Sequence, residues 1–164
     1  MKPITDFELL VSGKNEDVKA IVDIILNDDE NANFKAINYA DLLYREPEDE
    51  YGDNKSRAVI SGSLAISIES ALLKVDPDAY EANLKATPHF ESLEDLSKKY
   101  NVDIEAYSEF VLTGHGFEEH YIIENGVITT SDIKNIEYEE FYHPDGSLKD
   151  VSESGGFEVW DYSI

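Results

Sequence analysis

Hydrophobic and polar positions along the first part of the chain change from the period of a strand to the period of a helix. Residues 7–13, FELLVSG, form an apolar run that ends at a glycine, which predicts a first strand. Residues 15–28 then begin with Asn15, a residue typical of helix N-caps. Apolar residues recur there every three or four positions, as expected for one face of a helix. This apolar stripe consists of Val18, Ile21, Val22, Ile25 and Leu26.

The next segment predicts two more strands separated by a charged loop. Residues 34–46 have mixed periodicity, and their first part is interpreted as a strand. Residues 47–56 are charged and contain proline and glycine, which is typical of a loop. Residues 57–70 alternate clearly and predict one long strand with a polar face. Its apolar side holds Ala58, Ile60, Gly62, Leu64, Ile66 and Ile68, and its polar side Ser61, Ser63, Ser67 and Glu69.

A second helix and a series of strands are predicted beyond a connection of uncertain structure at residues 71–86. The helix covers residues 87–101, with Thr87 and Pro88 as its start and Asn101 as its end. The strands that follow are predicted at 102–112, 117–124, 126–133 and 136–143, with a further aromatic run at 157–162. Between two apolar runs, Glu124-Asn125-Gly126 predicts a hairpin turn, because Asn-Gly tolerates the positive φ angles that such a turn requires.

The order of these elements predicts an α+β fold with an antiparallel sheet. Strand, helix, strand, strand, helix and strand follow one another, which is the split βαβ, ferredoxin-like plan. We expect two helices and a C-terminal β-hairpin extension. The 164 residues are interpreted as one domain, with the ferredoxin-like core at about 5–130 and an acidic, β-rich extension at about 131–164.

Negative charge is the strongest feature of the composition. The chain has 36 acidic and 13 basic residues, a net charge of −23. Residues 1–100 hold 21 acids and 11 bases, whereas residues 101–164 hold 15 acids and two bases, Lys134 and Lys149. Such a surface repels nucleic acid and anionic membranes and attracts basic clefts. Solubility or adaptation to high salt would also explain the charge.

Other features of the composition favour a soluble protein of the cytoplasm. There is no cysteine, which excludes disulfides, thiolate zinc sites and thiol nucleophiles. No stretch has the apolar length of a membrane span. The opening MKPITDFELL lacks the basic and apolar regions of a secretory signal.

Residues 115–120, HGFEEH, contain two histidines and two glutamates and raise the question of a metal site. A divalent ion could bind His115, Glu118 and His120 together. In a strand over 117–123, however, Glu118 and His120 share one face and Glu119 points to the other. The histidines also lack the i, i+4 spacing that brings ligands together on a helix. The first strand of a hairpin is therefore the favoured interpretation, and no metal is expected.

Two further acidic segments are interpreted as local structure. Asp76, Asp78 and Glu81 offer oxygen ligands for calcium, but the central glycine of a calcium loop is missing. A turn followed by a helix start is the favoured interpretation of this segment. Residues 26–33, LNDDENAN, are likewise interpreted as a solvated helix exit.

The sequence contains no signature of an enzyme. It has no glycine-rich phosphate loop, no G-x-S-x-G elbow and no dinucleotide-binding fingerprint. Carboxylates are so numerous that no pair stands out as an acid and a base. We therefore expect neither catalysis nor a cofactor.

A candidate protein-binding surface lies in the acidic, aromatic segments IEYEEFYHPDG (136–146) and FEVWDY (157–162). Carboxylates there can contact arginine and lysine, and aromatic rings supply rigid contact area. Alternate strand positions lie roughly 6–7 Å apart, close to the phosphate repeat along a DNA strand. The sheet is therefore a candidate DNA mimic, although an ordinary solvated face has the same pattern. The predicted contact residues are Glu137, Glu139, Glu140, Asp145, Glu158 and Asp161, with Tyr138, Tyr142 and Trp160 as aromatic anchors.

Two segments resemble the ferredoxin-like YubB-type domain carried by phages and plasmids. FELLVSGKNEDVKAIVDII resembles its opening, and TPHFESLEDLSKKYNVDIEAYSEFVLTGHGFEEHYIIENGVI resembles its second half. The resemblance covers about half of the chain and includes no catalytic motif. It implies a protein of a mobile element that acts in a bacterial host, where small acidic phage proteins often inhibit defence proteins.

Three functions follow, in order of preference. The first is an inhibitor that binds a basic, nucleic-acid-binding host protein, such as a CRISPR nuclease or a restriction enzyme, in the host cytoplasm. The second is a structural or assembly module that self-associates through the edges of its sheet. The third is a metal-dependent hydrolase without a detectable signature.

Overall fold

An antiparallel sheet forms the centre of the protein. The computed structural model describes residues 5–45, 55–112 and 115–137. Within these residues, six strands form one sheet and four helices connect them, so the fold is α+β. The strands are β1 (Thr5–Lys14), β2 (Ile37–Arg45), β3 (Lys55–Leu64), β4 (Asp103–Leu112), β5 (His115–Glu124) and β6 (Val127–Glu137). The helices are α1 (Asn15–Leu26), α2 (Ile68–Ala71), α3 (Pro77–Ala86) and α4 (Leu93–Tyr100).

The strand order in the sheet is β2-β3-β1-β4-β5-β6, and each neighbouring pair is antiparallel. Strand β1 is therefore parallel to β2, with β3 between them and α1 as the connection. Strand β2 is at one end of this sheet and β6 is at the other. The register of β2 against β3 shifts twice, between Ile37 and Tyr39 and between Leu42 and Tyr44.

The hydrophobic core lies between the helices and one face of the sheet. Alternate residues of β1 (Phe7, Leu9 and Val11) point to this face, together with Ile60 of β3 and Ala106 of β4. The predicted stripe of α1 packs against them, with Val18, Ile21, Val22 and Ile25 buried. The amphipathic pattern of the first helix is thus confirmed. We call this side of the sheet the helix face.

The strand predicted over residues 57–70 is too long, because β3 ends at Leu64. Beyond Leu64, the backbone N–H of Ala65 still donates to the carbonyl oxygen of Ala36, next to β2. Ser67 then caps α2 by accepting a hydrogen bond from the backbone N–H of Ser70. The apolar alternation continues through Ile66 and Ile68, but Ile66 is exposed and Ile68 is buried in a helix.

The described residues contain four helices where two were predicted, and the second predicted helix begins later than expected. Helix α4 starts at Leu93, after Ser92, which forms a reciprocal capping box with Asp95. Thr87, the predicted start, instead lies at the C-terminal end of α3. The predicted end is confirmed, because Asn101 adopts the left-handed conformation at φ 52°. Helix α2 begins within the strand predicted over residues 57–70, and α3 lies in the connection of uncertain structure at residues 71–86.

The hairpin predicted at Asn125-Gly126 is present, with φ angles of 50° and 78° at the two turn residues. Strand β6 then continues without interruption from Val127 to Glu137, where the sequence predicted a break between two strands. Most of the predicted acidic extension, residues 138–164, lies outside the described residues.

No helix in the described part of the chain is both long enough and apolar enough to cross a membrane.

Gly62 allows β2 to approach the sheet closely. A methyl group at this position would overlap the carbonyl oxygen of Tyr39 and lie 2.9 Å from Cε1 of Phe7. We expect Gly62→Ala to lower the free energy of unfolding by about 1–3 kcal/mol, because backbone on one side and an aromatic ring on the other must move. Urea denaturation measures this, with Ser61→Ala as the control on the opposite face. Equal stability of the two variants would contradict the packing described.

Candidate binding surface

Eight of the nine predicted contact residues lie outside the described part of the chain: Tyr138, Glu139, Glu140, Tyr142, Asp145, Glu158, Trp160 and Asp161. Glu137 is the last residue of β6, where its backbone is opposite His115 of β5. The surface predicted from the C-terminal segments therefore stays a prediction.

The HGFEEH stretch forms the beginning of β5, as its interpretation as a hairpin strand predicted. Glu118 and Glu119 face opposite sides of the sheet, and His120 shares the side of Glu118. The Nε2 atom of His120 lies 2.7 Å from Oε1 of Glu105 on β4. In the ranges that the structure describes, no three acidic or histidine side chains come together as metal ligands.

The segment with Asp76, Asp78 and Glu81 is a turn followed by a helix start, as predicted. The Asp76 carboxylate accepts hydrogen bonds from the backbone N–H groups of Asp78 and Ala79 and so caps α3. Glu81 lies one turn further along the helix and pairs with Lys85 at 3.4 Å.

Glu119 is a fully buried carboxylate on the helix face. Its Oε2 atom accepts a hydrogen bond from the backbone N–H of Ile68 at 2.8 Å, and its Oε1 atom accepts one from Glu69 at 3.0 Å. The hydroxyl groups of Ser108 and Tyr121 also donate to this carboxylate. Glu119 therefore links β4 and β5 to the start of α2.

The surroundings of Glu119 indicate a structural carboxylate. A carboxylate has two oxygen atoms, and each of those in Glu119 accepts two of the four hydrogen bonds. Burial, together with the neighbouring negative charge of Glu119, raises the pKa of the Tyr121 hydroxyl, which therefore stays protonated as a donor. The oxygens are thus fully engaged within the protein.

The opposite face of the sheet brings carboxylates of three adjacent strands together. Asp6 of β1 is opposite Glu109 of β4, and Glu109 is opposite Glu118 of β5. Glu8 lies two positions along β1, on the same face. We call these four residues, Asp6, Glu8, Glu109 and Glu118, the acidic face. Directly opposed positions of neighbouring strands are only about 5 Å apart, so like charges there repel one another.

The pKa values on this face reflect both burial and repulsion. Burial raises the pKa of Glu8. Burial, followed by the charges of Glu118 and Asp6, raises the pKa of Glu109. The pKa of Tyr107 is raised by its own burial and then by Glu118, Glu109 and Glu8, which indicates that their negative potential overlaps at this ring.

Positive charge on this side of the sheet lies towards its margins. Lys134 is opposite Glu118 and belongs to the outer strand β6. Arg57 is opposite Ser12, near the far end of β1. The residues directly opposite Glu8 are Ser61 and Tyr107, neither of which is a cation.

The sequence analysis did not single out the acidic face. Glu8, Glu109 and Glu118 lie in predicted strands, whereas Asp6 precedes the predicted start of the first strand at residue 7. Only the register between β1, β4 and β5 shows that these carboxylates form one cluster.

The outer strand β2 exposes several large apolar side chains. Tyr39, Leu43 and Tyr44 are 57%, 60% and 55% exposed, in contrast to the buried interior strands. Beside β2 a cleft of about 680 Å³ extends to the segment that follows α1. Its charged lining consists of Asp28, Asp29, Glu30, Asp41 and Lys35.

Comparison with known proteins gives no relative from which a function can be transferred: no family model, no curated protein and no solved structure matches the chain.

Removing one acceptor from the buried network tests the function assigned to Glu119. In Glu119→Gln an amide N–H₂ group replaces one carboxylate oxygen, so buried donors face another donor. We expect the free energy of unfolding to fall by about 2–3 kcal/mol in urea denaturation. Glu124→Gln, at the exposed end of the same strand, is the control and should change stability by less than about 0.5 kcal/mol. A Glu119→Gln variant as stable as this control would contradict the assignment.

Neutralising the acidic face should stabilise the protein at neutral pH. Glu8 and Glu109 have raised pKa values in the folded protein, so the folded state binds more protons than the unfolded state between those values and the ordinary value of 4.5. Their contribution to stability therefore increases as the pH falls through this window and is lost as it rises. The double variant Glu8→Gln/Glu109→Gln should melt at a higher temperature than the native chain at pH 7, and this difference should shrink towards pH 4.5. A difference that is independent of pH would contradict the raised pKa values of Glu8 and Glu109.

Proposed function

We propose that this protein is an acidic phage or mobile-element protein that binds and inhibits a basic, nucleic-acid-binding host protein. A CRISPR nuclease or a restriction enzyme is the kind of partner that fits. The protein acts by binding, without catalysis and without a cofactor, in the cytoplasm of the host. We further propose that the acidic face contributes to the contact, together with the predicted residues of the C-terminal segments.

The observation that carries this proposal is the pair of exposed carboxylates Asp6 and Glu109, which are directly opposed on neighbouring strands beside the buried Glu118. Like charges directly opposed across strands destabilise a sheet. Burial is the largest cause of the raised pKa of Glu109, and the charges of Glu118 and Asp6 raise it further. A binding function explains the arrangement, because arginine and lysine side chains of a partner would relieve the repulsion.

The spacing of these carboxylates also supports mimicry of nucleic acid. Asp6 and Glu8 occupy alternate positions of one strand, and such positions lie roughly 6–7 Å apart. This distance is close to the phosphate repeat of a DNA strand. A basic channel that binds phosphates would therefore also accept Asp6 and Glu8.

We also propose that the first four strands have the ferredoxin-like plan of the YubB-type domain. The support is their order β2-β3-β1-β4, in which β1-α1-β2 encloses the antiparallel β3. The connection from β3 to β4 likewise contains helices and places β4 on the far side of β1.

The alternative function, a module that self-associates through its sheet edges, has one observation in its favour. Strand β2 ends the sheet of the described residues and exposes Tyr39, Leu43 and Tyr44. Exposed edge strands are templates for pairing with another chain.

The proposed function is tested by capture of partners from bacterial lysate, with and without an added CRISPR nuclease and its guide RNA. We expect the native protein to retain a nucleic-acid-binding protein that is released by rising salt and displaced by double-stranded DNA. Glu8→Gln/Glu109→Gln should retain about tenfold less of it, because two contacts to basic groups are lost.

The matched control is Asp23→Asn/Glu81→Gln, which removes two charges from exposed helix positions away from the acidic face. Retention by this control should equal that of the native protein. Equal retention by both double variants, or a captured protein that DNA does not displace, would argue against the proposal.

A further inference from the structure

The β2 edge offers backbone hydrogen-bonding groups to a further strand. Among the described residues β2 has one neighbouring strand, β3. In a regular edge strand, every second backbone N–H and C=O pair points away from its neighbour and is available to an added strand. Strand β2 is regular between its two register shifts, from Tyr39 to Leu42. Among the described residues, the side chains of Tyr39, Leu43 and Tyr44 on this edge are exposed.

The two sides of β2 differ in chemistry. Tyr39 and Tyr44 are opposite Ser63 and Val59 of β3, residues that share the sheet side of the acidic face. The tyrosines therefore extend that face to the edge of the sheet. The cleft contains the segment that follows α1, where Asp28, Asp29 and Glu30 are exposed. Tyr39 also lines this cleft, so carboxylates and an aromatic ring meet there, whereas Tyr44 is not part of its lining.

We propose that the β2 edge binds an extended basic segment of the partner by strand addition. Alternate side chains of a strand point to opposite sides. Lysine or arginine at every second position would enter the cleft with Asp28, Asp29 and Glu30. Apolar residues between them would pack on Tyr44, outside the cleft. This inference rests on the proposed binding of a basic partner and specifies the form in which part of that partner binds.

Charge favours such a segment over a second copy of the chain. Each copy has a net charge of −23, so two copies that pair along β2 repel each other. A basic strand instead gains charge complementarity from the same cleft. Main-chain hydrogen bonds supply affinity in this binding mode, and alternating side-chain sites supply selectivity.

The probe is a synthetic peptide that alternates lysine with valine, with a peptide of equal composition in separate lysine and valine blocks as its control. We expect the alternating peptide to bind more tightly in fluorescence anisotropy and to lose affinity as salt is raised. Hydrogen exchange of the amides of residues 37–45 should slow when it binds. The β6 amides should not change.

The decisive variant is Leu43→Lys, which places a positive charge on the exposed edge. We expect it to weaken peptide binding about tenfold, because a lysine on an edge strand opposes both pairing and a basic ligand. Its control is Val127→Lys, a residue of equal exposure, 60%, at the start of β6. Equal weakening by the two variants would show an effect of net charge alone and would overturn the proposal.

A second variant keeps the test valid if Leu43→Lys fails to fold. Asp28→Asn/Glu30→Gln neutralises the cleft without changing β2 and should also weaken binding, whereas Asp23→Asn/Glu81→Gln should not. Unchanged binding to the cleft variant would overturn the proposal. So would a dimer in sedimentation velocity that Leu43→Lys abolishes, since a second copy would then occupy the edge.

Partner capture distinguishes failure of this inference from failure of the proposed function. If Leu43→Lys retains the host protein as the native chain does while Glu8→Gln/Glu109→Gln loses it, strand addition is wrong and the proposed function stands. If no basic protein is retained by the native chain, the proposed function itself fails.

Discussion

The fold depends on two buried carboxylates that anchor the long connection between β3 and β4. Glu119 accepts the backbone N–H groups at the start of α2, and Glu94 accepts the backbone N–H of Lys74 at 3.0 and 3.2 Å. These backbone donors lie beside the core. Leaving any of them without an acceptor would therefore lower the stability of the fold considerably. The side chain of Lys74 then pairs with Asp95 at 2.7 Å. Hydrogen bonding to Asp95 raises the pKa of Lys74, so the cation persists across neutral pH.

Acidic residues therefore serve opposite purposes on the two sides of the sheet. On the helix face, Glu119 is surrounded by donors and stabilises the fold. On the acidic face, Asp6, Glu109 and Glu118 are opposed to one another and repel. The large core on the helix face provides the stability that lets the sheet hold this repulsive row. The total charge of the chain does not distinguish these two uses, whereas the register of the strands does.

Features that depend on neighbouring residues could be predicted from the sequence, and features that depend on distant contacts could not. The α1 stripe and the Asn125-Gly126 turn need only neighbouring residues, and both were predicted correctly. After β3, the chain enters α2, whose first backbone N–H groups are accepted by Glu119, a residue distant in the sequence, so the alternation through Ile68 was misleading. The three-residue spacing of Ser92 and Asp95 in the sequence is that of a capping box, which marks the true start of α4. The prediction instead placed this start at Thr87-Pro88. For the acidic face, Asp6, Glu109 and Glu118 become neighbours only through strand pairing.

The two register shifts in β2 have a consequence for the behaviour of the chain at high concentration. A flat, regular edge strand propagates pairing from one molecule to the next and leads to fibrils. The irregularities near Ile37 and Leu42 twist the strand and interrupt its ladder within nine residues. A growing stack of identical chains would need to reproduce this distortion in every copy. Each added copy would also be repelled by the negative charge of those already in the stack. We therefore expect the edge to expose Tyr39, Leu43 and Tyr44 without promoting fibrils of identical chains.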